Sequence, residues 1–519
     1  MTSLDTLFIP VTVIYFLVVT TLFIYGLNFL YLSYHAWKKR DALASKPLPL
    51  NTESVPFVTI QLPIYNELYV AERLIESAAA LDYPRSRFEI QVLDDSTDET
   101  VSLVARTVDR IKAQGINIHH LHRTERVGFK AGALADGLQT AQGEFIAIFD
   151  ADFVPKPDFL KKILPYFDED NIAFVQARWG HLNGGYSLLT FLQSLSLDAH
   201  FAVEQLARSQ LGLWFNFNGT AGVWRKTAII DSGGWKAETL TEDLDLSYRA
   251  YLRGWRARYA GEVEVPSELP VSFTAFRRQQ HRWAHGGFDC AIRYIPVIWK
   301  SDATLARKIQ ASLHLTGYLI HLLLFMCVFL YPLVVAISER YPGLISLFGI
   351  AVVFNFTALA PIALVAVAQK SLHKRWFAIL PYIVTLAALG AGLMLNTLRA
   401  ALQVWAGRRG AFERTPKYGI TARAQKWESR RYYVKMDFLV PFEIFLALFN
   451  LWTVWLAIQN SNWLIALYAA NFAAGLFFNS GLTILQAIQR RFPPRLLTDS
   501  PSRHFSCPPR PSPVPSSKH

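Results

Sequence analysis

The chain has 519 residues, 52% of them hydrophobic and 14% aromatic, with only 18% charged against the roughly 25% usual in soluble proteins. That balance argues against an ordinary soluble enzyme and for an integral membrane protein. A net charge of +12 would suit a nucleic-acid binder, but the basic residues gather beside apolar segments, where positive-inside topology accounts for them, so no nucleic-acid partner is expected.

The first apolar run, Leu7 to Leu32, has no basic segment before it and is too long for a signal peptide; Lys38-Lys39-Arg40 follow it. It reads as a membrane anchor over residues 1–37 with its N-terminus outward. Residues 38–310 are of mixed polarity. Within them Val58–Leu62, Phe88–Leu93 and Glu144–Phe149 are apolar, β-branched runs, and a helical pattern covers Val70–Ala80. Strands alternating with helices predict an α/β domain with a mostly parallel sheet, and ligands of such sheets bind beyond the carboxyl ends of the strands. Cys290, Cys327 and Cys507 form neither a metal spacing nor a disulfide framework, which suits a reducing cytosolic face.

Apolar runs return at Leu313–Ile337, Leu344–Ala368, Phe377–Leu398, Phe438–Ile458 and Trp463–Ile488. If all of these crossed the bilayer, Arg408-Arg409, Lys417, Lys426 and Arg430-Arg431 would face outward, against the positive-inside rule. Pro381, Gly390, Gly392 and Asn396 make Phe377–Leu398 a poor span, so it is read as interfacial or re-entrant. Five spans then place the N-terminus outside, the C-terminus inside, and a loop near 408–435 on the cytoplasmic side within a membrane region of 311–489. The tail 490–519 is rich in Pro, Ser and Arg without apolar periodicity and is expected to be disordered.

Acidic and basic motifs stand at the strand ends. Asp94-Asp95 ends the second strand; the pair serves equally as turn or N-cap residues or as a carboxylate for a nucleobase or ribose. Asp150-Ala-Asp152 follows the third strand. Two carboxylates two residues apart point to one side of extended chain and suit a hard divalent cation, Mg2+ or Mn2+, completed by phosphate oxygens. Lys130 opens a helical run, where a cation opposes the helix dipole, so anion binding is the better account. Thr241-Glu242-Asp243 reads as ordinary helix entry, with Thr as cap, or as a carboxylate aimed into the crevice as general base. Gln279-Gln-His-Arg282-Trp283 combines a phosphate-binding fork with an indole face suited to a pyranose; such stretches also mark interfacial helices. Phe412–Lys417 is a basic linker whose Thr415 and Lys417 are placed to close over a diphosphate.

In this order the motifs resemble the membrane-embedded, processive family 2 glycosyltransferases: the cellulose synthases and, more closely, the cellulose synthase-like glucomannan and glucan synthases. Val175–Trp179, Phe217–Arg225, Gly233-Gly-Trp235 and Gln279–Trp283 carry the resemblance, which runs from Pro56 to Lys417. It implies a GT-A fold and an inverting single displacement with magnesium or manganese. Asp95 would contact the base, Lys130 the diphosphate, and Asp150 and Asp152 the metal and donor. Asp243 would be the general base. Gln279, Arg282 and Trp283 would form an acceptor and diphosphate platform at a channel mouth, and Thr415 and Lys417 a gating loop. Asn218-Gly219-Thr220 replaces the family's Phe-Cys-Gly near the acceptor, so Asn218 enters as an acceptor contact by position alone. Arg414 stands where cellulose synthases carry Val. The cyclic-dinucleotide domain of bacterial cellulose synthases is expected to be absent.

The reading favours UDP-glucose and a β-1,4-glucan threaded across the cell membrane, with GDP-mannose and a mannan or glucomannan as the alternative. A glycolipid synthase adding one or two hexoses is the enzymatic rival. A transporter without catalysis would place ionisable residues within the spans, where they are nearly absent, and an inactive scaffold would not keep the whole acidic set. The expected partners are a nucleotide-sugar, a growing glycan and the bilayer, with room for accessory export subunits.

Overall fold

Three of the strands that build the central sheet fall where the apolar runs predict them. They are β1 (Val58–Ile64), β2 (Phe88–Asp94) and β4 (Phe145–Ile148); β3 (Ile118–His122), β5 (Ile172–His181), β6 (Gly222–Arg225) and β7 (Arg256–Ser267) complete it. The order is β3-β2-β1-β4-β6-β5-β7. All neighbours run parallel except β6, which is antiparallel to both β4 and β5. This is the mostly parallel α/β sheet expected from the alternating strands and helices. The computed structural model describes residues 3–38, 55–341, 359–372, 375–408, 410, 413–432 and 437–491; Cys507 and the tail from 492 lie outside them.

The runs are buried on both faces, as parallel strands must be. Val58, Ile60, Leu62, Phe88 and Ile90 pack under helices Ala71–Ala79 and Thr100–Lys112. On the other face Ile146, Ile148 and Trp224 pack under helices Phe129–Thr140 and Glu242–Leu252. The polar residues that alternate along β1 and β2 are buried too, and they pair across the strands. Thr59 Oγ1 donates to Glu89 Oε1 at 2.7 Å and Gln61 Nε2 to Gln91 Oε1 at 3.0 Å. Left unpaired, each such group would cost about 1–3 kcal/mol.

Five helices among the described residues are long and apolar enough to cross a membrane: Phe8–Lys38, Leu319–Arg340, Trp376–Trp405, Val440–Gln459 and Trp463–Arg491. Large apolar side chains such as Leu17, Phe445, Trp455 and Leu467 stay exposed on them, as a lipid-facing surface requires. Trp376–Trp405 contains the stretch expected to be interfacial. It consists of two 12-residue helices, Leu380–Ala391 and Met394–Trp405. Only Gly392 and Leu393 separate the two, and with the turn Trp376–Ile379 before them they form one apolar element of 30 residues, long enough for the ~30 Å hydrocarbon core, against the expectation of an interfacial stretch. Most of the expected span Leu344–Ala368 lies outside the described residues. Its end, helix Ala360–Ser371, docks on the α/β domain, where Gln369 Nε2 donates to Asp198 Oδ2 at 2.7 Å.

The α/β domain and the apolar helices share one core. Leu32 and Ala36 of the first helix, Val365, Ala368, Ile379 and Ile383 belong to the cluster that contains Trp224 and Tyr248. Helix Phe273–Lys300 is a further joint, made by buried polar groups. Arg277 and Glu443, each with a side chain 1% exposed, form an ion pair at 2.8 Å, and Ser480 Oγ donates to Glu443 Oε2 at 3.2 Å. Asn396 Nδ2 caps the Arg277 carbonyl at 3.0 Å. Glu443 is thus an ionisable group inside an apolar run, and its partner comes from the helix that carries the Gln279–Trp283 motif.

Candidate active site

A cleft of about 1180 Å³, open to solvent, lies beyond the carboxyl ends of β1, β2 and β4. Its floor holds Asp95, Lys130, Asp150, Asp152 and Asp243. One wall carries Gln279, Arg282 and Trp283, another Asn218, and the roof Thr415 and Lys417. All eleven side chains singled out from the sequence therefore meet in one cavity.

The Asp150 and Asp152 carboxylates face the cleft from a turn, since β4 ends at Ile148 and Phe153 N–H closes onto Asp150 O at 3.0 Å. Their common direction comes from that turn and not from extended chain. Each is held by an ammonium group. Lys130 Nζ lies 2.5 Å from Asp150 Oδ1, and Lys417 Nζ lies 2.6 Å from Asp152 Oδ2. Lys130 also donates to Gly219 O at 2.8 Å and stands 3.6 Å from Glu242. Burial raises the Asp150 pKa, Lys130 pulls it back, and Asp152 adds to the rise. For Lys130, burial disfavours the charge, but Asp150 and Glu242 outweigh it and the pKa goes up. The helix dipole conflict at Lys130 is thus resolved by carboxylates.

Asp243 sits in the first turn of helix Glu242–Leu252. Burial, and then the neighbouring Glu242 charge, push its carboxyl up to about 7, with Lys130 opposing. Leu244 N–H donates to its Oδ1 at 2.8 Å, which leaves Oδ2 toward Gly219. A side chain at Gly219, whose φ is +79°, would place its Cβ 3.0 Å from that oxygen; glycine keeps the approach to the carboxylate open. Thr241 does stand at the N-cap with Glu242, Asp243 and Asp245 in the first turn, but its side chain makes no cap hydrogen bond. It packs instead against Gly286, where any Cβ would stand 2.3 Å from Thr241 Oγ1. This contact seats the Asp243 turn against the helix that bears Trp283.

The Asp94-Asp95 pair divides its two readings. Asp94 Oδ1 accepts Ser96 N–H at 2.9 Å and so shapes the turn, while the start of helix Thr100–Lys112 is served by Asp98 Oδ1, which accepts Thr100 N–H at 2.9 Å. Asp95 lines the cleft, its two oxygens taken by Arg123 Nε and Nη2 at 2.7 Å each. Asn218 is likewise engaged: Gln205 Nε2 donates to its Oδ1 at 2.8 Å, and its Nδ2 stands 3.1 Å from His200 Nε2.

Gln279, Arg282 and Trp283 fall at i, i+3 and i+4 of one helix and share a face. The intervening His281 turns toward the bundle, with Nε2 2.9 Å from Gln403 Oε1. The roof segment 413–432 is anchored by Lys417, which also donates to Glu268 O at 2.6 Å, and by Arg414, 2.8 Å from Glu67. Burial pushes Glu67 up to about 8, against the pull of Arg414. Phe412 lies outside the described residues.

Among the cleft residues given no role from the sequence, four bear on the site. Tyr65 and Glu67 stand just past β1, Arg126 stacks its guanidinium 3.5 Å over the Tyr65 ring, and Glu268 accepts Tyr418 N–H at 2.8 Å. Tyr65 and Glu67 followed a strand end and could have been flagged by that position. Arg126 and Glu268 gave no signal, since their partners are remote in sequence.

Residues 56–286 match the family described as Glycosyltransferase like family 2. The chain is 48% identical over 260 residues to glucomannan 4-beta-mannosyltransferase 2 of Arabidopsis thaliana, covering 48% of this chain and 49% of that protein. It is 42% identical over 325 residues to probable glucomannan 4-beta-mannosyltransferase 7 of Oryza sativa subsp. japonica, covering 61% and 55%. The chain spans about half the length of the curated relatives it matches. Among solved structures it is similar to a mannosyltransferase from Pyrobaculum calidifontis in complex with GDP-Man and Mn2+. That likeness has 21% identity and a TM-score of 0.46, covering 74% of this chain and 99% of that one.

Proposed function

From a chain that carries a family 2 glycosyltransferase domain over residues 56–286, we propose a membrane-embedded, inverting hexosyltransferase that builds a β-1,4-linked mannan or glucomannan from GDP-mannose. The relatives' names support this donor over the UDP-glucose favoured from the sequence, so the alternative becomes the main reading. The observation that carries it is the meeting of Asp243, the Asp150-Asp152 pair and the Gln279–Trp283 face in one cleft. The helix bearing that face is itself tied to the apolar bundle through Arg277 and Glu443.

The site fits a divalent cation. Two partly exposed carboxylates are neutralised by two ammonium groups, the positive charge that one such ion would replace. Asp150 and Asp152 would hold it, and when bound it offsets negative charge on the diphosphate. Lys130, Arg282 and, from the roof, Lys417 supply the cationic contacts to the diphosphate, while Trp283 offers its ring to the acceptor sugar. The acceptor hydroxyl oxygen attacks the anomeric carbon and Asp243 takes its proton. The bond to the diphosphate breaks with its electron pair leaving on phosphate oxygen. A carboxyl pushed up to about 7 is suited to this work, because about half of it is ionised at neutral pH and it is basic enough to accept a proton. The five long apolar helices support a multi-pass membrane location with the cleft on the cytoplasmic side.

The test is incorporation of radiolabel from GDP-mannose and, separately, UDP-glucose by the reconstituted full-length protein, with linkage-specific digestion of the product. A β-mannanase-sensitive polymer from GDP-mannose supports the reading. Polymer from UDP-glucose alone, or none from either donor, overturns it.

A further inference from the structure

At the open edge of the sheet, away from the Asp150-Asp152 pair, a second set of metal-ligating side chains converges. β3 is an edge strand paired only with β2, and the register sets His122 opposite Asp94 and His120 opposite Val92. Side chains alternate along a strand, so His120 and His122 share one face, while His119 turns away to Asn117. His120 Nε2 stands 2.9 Å and His122 Nδ1 3.6 Å from Asp94 Oδ2. One ligand atom from each of the three residues lies within 4.8 Å of the others, and this is the sole such group of three or more found among the described residues.

We propose that Asp94, His120 and His122 form a site for a borderline first-row cation, Zn2+ above all, distinct from the cation of the transfer reaction. Ligands about 2.1 Å from a tetrahedral ion stand about 3.4 Å apart, and the two measured separations bracket that value. Two imidazoles and one carboxylate with a fourth position for water suit Zn2+ and its neighbours, whereas Mg2+ prefers an all-oxygen set. The carboxylate is already oriented: Oδ1 is held by Ser96 N–H at 2.9 Å, leaving Oδ2 to the imidazoles. The side chains of His120 and His122 are 17% and 32% exposed, which gives an ion a route in. Binding exchanges the 3.0 Å contact of His122 Nδ1 with Asp94 O for a metal bond.

The position gives the ion a task. Asp94 precedes Asp95 and His122 precedes Arg123, and Arg123 holds both oxygens of Asp95 on the cleft floor. An ion joining Asp94 to His122 ties together the two strand ends that carry that pair, as a staple on the edge of the sheet. The inference does not depend on which sugar is transferred, or on transfer at all.

The experiment is a Zn2+ titration of the full-length protein in detergent, without nucleotide, against a chromophoric chelator. One tight equivalent per chain is expected, undisturbed by excess Mg2+. His120→Gln and His122→Gln should each weaken it roughly tenfold or more, and Asp152→Asn should leave it intact. A rise in Tm on Zn2+ addition should be present in the native chain and absent in both histidine variants, which separates lost binding from lost folding. No tight equivalent in the native chain, unchanged affinity in the histidine variants, or loss in Asp152→Asn alone overturns the proposal.

Discussion

The floor and the roof of the cleft are built by different physics. The floor residues hang from strand ends whose backbones are fixed by ladder hydrogen bonds and two apolar layers. The roof, 413–432, has no helix or strand of its own and is held down largely by side chains. Lys417 grips Asp152, Arg414 grips Glu67, Arg430 stacks over Tyr69 at 4.8 Å, and Arg431 reaches Glu99 at 2.6 Å. Two of these anchors use the very carboxylates that face the ligand space. The floor is therefore preorganised, while the roof is attached through contacts that a metal–diphosphate would compete for. Chemistry should depend on the floor and turnover on the roof.

The largest effect tests the floor. Asp243→Asn removes the proposed base and keeps the shape, so turnover should fall about 10²–10⁴-fold while donor affinity, read by equilibrium binding, stays near native. Full activity in that variant would remove Asp243 from the mechanism. The native pH profile checks the same group without mutation. The proposed transfer needs ionised Asp243, whose carboxyl is pushed up to about 7 by burial and then by Glu242. The rate should therefore fall about tenfold per pH unit below 7 and level off above it, and an acid limb near 4 would contradict the assignment.

Next comes the joint between the two parts. Arg277→Met strands the buried Glu443 carboxylate, and breaking a buried pair from one side costs about 3–5 kcal/mol. Arg277→Met with Glu443→Leu should recover most of that in thermal unfolding, because both charges are gone. If the single and double variants melt alike, the pair is not what holds helix Phe273–Lys300 to the bundle.

How much of this was legible follows from where each signal lives. β1, β2 and β4 were readable because continuous apolar runs ending in Asp or Pro are local patterns. The dyad at Asp150 and the i, i+3, i+4 face of Gln279, Arg282 and Trp283 were readable for the same reason. β3, with Ile-His-His-Leu-His, has too mixed a pattern to announce itself, and β6 is short and antiparallel. The partners of the site residues were invisible: that Lys417 would find Asp152 across 265 positions, or that Arg123 would take Asp95, is set by packing. The helix break at Gly392 was half legible, since Gly390, Gly392 and Pro381 marked an interruption without giving the two 12-residue pieces or the 30-residue element they belong to.

On the roof the effects should be smaller and graded by burial. Lys417→Met frees Asp152 and removes a cation from the diphosphate, so kcat/KM should drop about 10–100-fold. The loop should also become more open to limited proteolysis in the absence of donor. Equal protection in the variant and the native chain would mean that Lys417 is not an anchor.

Arg431→Ala should do least, although its ion pair with Glu99 is as short as that of Lys417 with Asp152, at 2.6 Å. The difference is solvent. The Arg431 and Glu99 side chains are 62% and 59% exposed, against 7% and 15% for Lys417 and Asp152. Water and salt screen the exposed pair, and holding two long side chains in one geometry costs entropy. Its partners pull the Glu99 carboxyl below the ordinary range, the Arg431 hydrogen bond first, yet that shift reports a contact that solvent readily replaces. The Tm and the rate of the Arg431→Ala variant should therefore match the native values within error, and raising the salt should not separate them. A loss comparable to Lys417→Met would mean that the roof is held along its whole length, and that the two cleft carboxylates are not the points at which it lets go.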